Sequence, residues 1–265
     1  KDSNVDTSKL EFNSSTGETT LQGGGTILLG GTSVPTDIGF GMKHMKFDTD
    51  LLTIDNHTLH GFGAIESNNL TITENGLIDA NFDGERLGVS GNISHHGTMR
   101  ASNGGELSIS SLFLNGSGTI EAQDGSVVSL NGRQSWIDDV KFETSGSGMI
   151  RLGQSNFNSS FFYFVKAENT GLMVNQPLRT INFFFGEFNN SGMLISNQIV
   201  NGELSSENSP IWNQIQQDTQ FTGGGIIDLG QGGGGRISAL ETGVTLDIVN
   251  QTITGDGTIG IFDNG

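Results

Sequence analysis

Two adjacent aspartates, Asp138 and Asp139, lie within a few residues of Arg133, Trp136 and Lys141. Carboxylates beside a basic residue can serve general acid–base cleavage of polysaccharides, or hold calcium. The spacing suits that chemistry. A run such as Trp136-Ile137-Asp138-Asp139-Val140-Lys141 also suits a solvated loop between strands, where such combinations arise by chance. No catalytic residue is therefore assigned. The histidines are His44, His57, His60, His95 and His96. His57 and His60 fall on opposite faces of any strand that holds both. His95 and His96 read as exposed residues at a corner. A metal centre needs convergent ligands with supporting partners, so neither a metal nor a cofactor is expected. Cysteine is absent, which excludes disulfides, thiolate metal sites and thiol catalysis. The glycine run Gly230–Arg236 lacks the Gly-Lys-Ser/Thr ending of a phosphate loop.

Two aromatic runs form the remaining candidate site. They are Phe161, Phe162, Tyr163 and Phe164, then Phe183, Phe184 and Phe185, with Phe188 nearby. The runs start 22 residues apart, close to one period of the repeat described next. Alternation along a strand sends only half of such a run inward. The other half needs a covering loop, a neighbouring molecule or a ligand such as carbohydrate. All seven residues are carried forward as a candidate partner-contact patch.

What positions these residues is a repeat. A glycine followed by a small or apolar residue and then Ile, Met or Leu occurs ten times, at Gly25, Gly63, Gly76, Gly97, Gly118, Gly148, Gly171, Gly192, Gly225 and Gly257. Successive separations are 38, 13, 21, 21, 30, 23, 21, 33 and 32. A spacing of 21 suits one coil of three short strands, and the longer gaps read as inserted loops or as one and a half turns. Within Gly116-Ser117-Gly118-Thr119-Ile120, alternation puts Gly118 and Ile120 on one side. Stacked coils would then bury a single column of Ile, Leu and Met that no coil could bury alone. A longer duplication supports this reading: the passage from Leu21 to Asn69 and that from Phe221 to Gly265 share Gly-Gly-Gly-x-Ile, Thr-(Leu/Ile)-Asp and Gly-x-Gly-x-Ile in the same order. The second stops where the first runs on, which leads us to expect that a parent chain continues. The fold expected is all-β, a single parallel, right-handed β-helix or β-solenoid over residues 1–265 with about 21 residues per coil.

The runs Asn75–Asn81, Gly116–Gly132, Asn56–Ile65 and Asn250–Gly260 resemble the degenerate repeats of large bacterial surface and adhesin-like proteins, similar to filamentous haemagglutinin-type parallel β-helices. The resemblance runs from about Leu21 to Gly265, and residues 155–190 depart from it, being Phe-rich. It implies a secreted or cell-surface structural protein and carries no catalytic residue across.

Composition agrees. The chain of 265 residues has 41 Gly, 15% charged residues and a formal net charge of −17. With no basic run, nucleic acid is excluded as a partner. No apolar window reaches the length of a membrane span. The expected function is a non-enzymatic stalk or fibre segment at the bacterial cell surface or outside the cell. Its candidate partners are further copies of itself, the continuing parent chain, and a carbohydrate or host-surface ligand. A carbohydrate-active β-helix lyase or hydrolase is the alternative, and a phage tail-fibre module the second.

Overall fold

The computed structural model describes residues 8–12, 17–30, 42–47, 50–153, 160–175, 180–196, 211–230, 235–239 and 242–261. Among them are 27 strands and no helix. Short apolar–polar alternations make the strands. Leu77–Ala80, Thr98–Ala101 and Thr119–Ala122 each bury their second residue, so that Ile78, Met99 and Ile120 are fully enclosed. Turns of Gly and Asn end them, several at positive φ, as at Asn103 (51°) followed by Gly104 (79°).

The strands pair in parallel and form three ladders, visited in a fixed order as the chain advances. In the first ladder Leu52, Leu70, Ile93, Leu114, Ile137, Phe164, Phe184 and Ile215 stand in register. In the second, Ile27, Leu59, Ile78, Met99, Ile120, Phe142, Asn169 and Asn190 do so. The third carries Leu87, Leu107, Val128, Ile150, Met173, Leu194, Ile227 and Ile253. Apolar members of all three ladders join one core. The sequence distance between stacked partners is 21 at Asn169 and Asn190, but 31 at Asn182 and Asn213.

The glycine-led motifs do not line one column, contrary to the expectation above. Gly25, Gly76, Gly97 and Gly118 precede strands of the second ladder. Gly63, Gly148, Gly171, Gly192 and Gly225 open strands of the third, and Gly257 one of the first. The gap between Gly118 and Gly148 is thus one coil plus a step to the next ladder. The reason is steric. A Cβ on Gly97 would come 2.3 Å from the Gly76 carbonyl, and one on Gly192 2.2 Å from that of Gly171. The motif marks where a strand leaves a turn against the rung below, on whichever ladder that happens.

Some strands bend from one ladder into the next. Gly63–Ile72 and Arg86–His95 run from the third into the first. Gln134–Thr144, Ser160–Asn169 and Thr180–Asn190 run from the first into the second. Gly91, at φ 136°, makes one such bend, and a Cβ there would meet the Ser67 carbonyl at 2.1 Å. Gly91→Ala should therefore lose about 3 kcal/mol of unfolding free energy. Gly260→Ala, where a Cβ meets nothing within 4 Å, should stay within about 0.5 kcal/mol of the parent. Equal denaturation midpoints for the two variants would contradict the crowding.

Candidate functional site

The two aromatic runs pair side by side in the first ladder, with Phe161↔Ile181, Tyr163↔Phe183 and Phe164↔Phe184 in register. Alternation divides them. Phe162, Phe164 and Phe184 are at most 2% exposed and belong to the core, not to a patch, because their Cβ atoms point to the buried side of the sheet. Phe161, Tyr163, Phe183 and Phe185 lie on the other side, partly exposed. Of the seven candidate residues, only these four can meet a partner.

On that outer face the rings form a stack that includes a residue the sequence reading left out. Trp136 is in register with Tyr163, and their rings lie 4.5 Å apart at 11°. Tyr163 continues onto Phe183 at 4.8 Å and 9°. Phe185 tilts against Trp136 at 5.5 Å, and Phe161 stacks on Phe183 at 6.2 Å. One rung earlier Phe113 pairs with Trp136 in register. The alternation of Ser135, Trp136, Ile137 and Asp138 carried the signal for Trp136, but its distance from Tyr163 is longer than the repeat and hid the match. Stacked rings cover one another's faces, so the middle of the column presents ring edges outward. Parallel rings at this spacing contribute about 0.5–1.5 kcal/mol per pair beyond burial.

Asp138 and Asp139 are exposed at a bulge on the strand Gln134–Thr144, with Asp139 at φ 59°. The Asp139 carboxylate pairs with Lys166, and this contact holds the Lys166 ammonium above its usual value. Lys141 pairs with Glu143 at 2.5 Å and lies 3.8 Å from Glu168. Asp139, Lys141, Lys166 and Glu168 line an open depression with Ser117 and Glu187. Arg133 sits beyond the other end of the same strand. The carboxylates therefore do not face one another across a cleft, and surface pairs of this kind are weak.

The histidines separate as well. His44 lies in the strand Met42–Phe47, and its side chain is outside the described residues. His60 accepts a hydrogen bond from Asn81 at 3.0 Å through Nδ1, and His96 is exposed. No group of three or more His, Cys, Asp or Glu converges among the described residues. His95 is a correction: it is buried at 0% exposure, stacked in register with Ile72. Room for its ring comes from Gly118, where a Cβ would approach His95 Nε2 to 2.6 Å. Nε2 donates to the Thr119 carbonyl at 2.9 Å, while Nδ1 has no partner. Burial lowers its pKa from 6.5 to about 4, against the hydrogen bond to Thr119 and with a small push from His96.

No family model, no curated protein and no solved structure matches the chain.

Two measurements follow from this geometry. A double-mutant cycle on Tyr163→Ala and Phe183→Ala should give a coupling of about 1 kcal/mol, and zero coupling would mean that the rings do not stack. For His95 the folded pKa lies below the unfolded one. The unfolded chain therefore takes up the proton first as pH falls, and stability is complete only above about 6.5. Between pH 7 and 5 the protein should lose about 2 kcal/mol through this group. In denaturant titrations His95→Leu should flatten that dependence, and an unchanged slope would place the ring in water.

Proposed function

We propose that the chain is a structural segment, the stalk or fibre portion of a secreted bacterial cell-surface protein, and that it is not an enzyme. The three ladders would close into one β-solenoid, whose coils are about 21 residues at their shortest. Parallel crossover connections are right-handed in nearly all known cases, and this supports the right-handed form. The observation that carries the reading is the unbroken pairing of the first ladder from Leu21 to Ile261, with one core running alongside it. Each coil depends on its neighbours, so the natural product of such a sequence is length. The carboxylates best suited to polysaccharide cleavage stand in the open and apart from Arg133, which favours the structural reading over the enzymatic one.

Electron microscopy of the purified chain should show rods roughly 50 Å long, one strand spacing for each coil. Round particles would end the stalk reading. Incubation with neutral and acidic polysaccharides should release no new chain ends. Release that disappears with Asp138→Asn and Asp139→Asn would make the chain an enzyme.

A further inference from the structure

Leu112, Phe113 and Trp136 are 47%, 48% and 37% exposed, and they account for half of the exposed large apolar side chains among the described residues. They are not scattered. Phe113 and Trp136 face each other across one strand pairing, and Leu112 adjoins Phe113. This is the place where the outer ring stack ends. Among the described residues, the ring contacts of Trp136 are with Tyr163 and Phe185, on later rungs. Phe113 makes none with a described residue, so no described ring covers the face of Trp136 turned toward the earlier rung.

Polar groups frame that face. Gln134, Trp136 and Asp138 alternate on the outer side of one strand, all exposed, and Asn115 pairs in register with Asp138. Arg133 lies beside Gln134 and is exposed, with no ion-pair partner among the described residues. An open depression of about 460 Å³ adjoins the cluster, lined by Ser111, Leu112, Arg133, Gln134 and Phe161. A flat aromatic face with donors at one end and acceptors at the other is complementary to a pyranose ring. The C–H face of the sugar stacks on the indole, and its hydroxyls take up the flanking groups. Charge selects among occupants. A net charge of −17 opposes both a polyanion and a second copy of the chain, and among saccharides the stacking face with its flanking donors and acceptors therefore suits a neutral one.

We propose that the open end of the aromatic stack, at Trp136 with Leu112, Phe113, Arg133 and Gln134, binds a neutral polysaccharide. The site adds a ligand to the rod, and the rod reading stands if the site fails, because particle shape tests it separately.

Affinity electrophoresis of the full chain through gels containing laminarin, xyloglucan, galactomannan or dextran tests the proposal, with alginate as the polyanion. At least one neutral gel should retard the protein. Trp136→Ala and Arg133→Gln should each weaken retardation about tenfold, the size of one anchoring contact. Leu28→Ser, at an exposed apolar residue on a distant rung of the second ladder, should leave it unchanged. Circular dichroism monitors folding, and Arg133→Gln removes no ring and leaves the stack intact. Passage through every neutral gel without retardation overturns the proposal, as does retardation by alginate alone or retardation that survives both substitutions. A dimer in sedimentation that Leu112→Ser dissolves would also overturn it, in favour of a second copy on the same face.

Discussion

Parallel backbone pairing sets equivalent residues about 4.8 Å apart, rung after rung, and every side chain must tolerate its own neighbours in the column. Three chemistries meet that condition in this protein. Branched aliphatics fill the inner columns, as from Leu87 to Ile150. Amides hydrogen-bond along the stack, inside at Asn169 and Asn190 (2.8 Å) and outside at Asn92 and Asn69 (3.2 Å). Rings lie face to face from Trp136 to Phe183. Charges obey the same rule by changing sign. The column Asp79, Arg100, Glu121 puts Arg100 2.6 Å from Asp79, whereas like charges stacked directly would repel.

The interior must also stay filled as the coils change. Phe162, Phe164, Phe184 and Phe188 enter the core over a short stretch of chain. Over the same rungs the second ladder replaces Ile and Phe with Asn169 and Asn190. The Phe162 column narrows likewise, to Asn182 and Asn213 on the next two rungs. A larger side chain in one column is thus offset by a smaller one in its neighbours, as close packing requires. Edge-on contacts among Phe184, Phe188 and Phe221, at 4.8–5.8 Å, complete the filling.

Much of this was legible in the residues. Alternation identified the strands, the recurrent glycines identified the repeat, and the separations of 21 identified stacked partners such as Met99 and Ile120. What stayed hidden depends on register between distant segments. The shift of the glycine motif from the second ladder to the third follows from crowding at each turn, and no local pattern reports that. Trp136 stood apart from the aromatic column because its partner Tyr163 lies 27 residues on, beyond the spacing of 21 that the repeat displays. His95 looked like a corner residue because its neighbour is His96. Its burial depends on the empty space at Gly118, on the next rung.

The buried amides bear on how a fold of near-identical rungs keeps one register. Aliphatic columns discriminate poorly, since a strand displaced by two residues still presents Ile or Leu inward. Amides discriminate well. Asn182 donates to Asn175 at 3.1 Å and to Asn213 at 2.9 Å, while Asn213 donates to Ser196 at 3.0 Å. These bonds tie the first ladder to the third. Asn190 reaches Gln251 at 2.9 Å, and Gln251 returns a bond to the Asn190 carbonyl at 2.8 Å. A slipped strand would leave several of these groups buried without partners, at about 1–3 kcal/mol each. The apolar columns therefore supply most of the cohesion, and the polar side chains set within them choose the alignment.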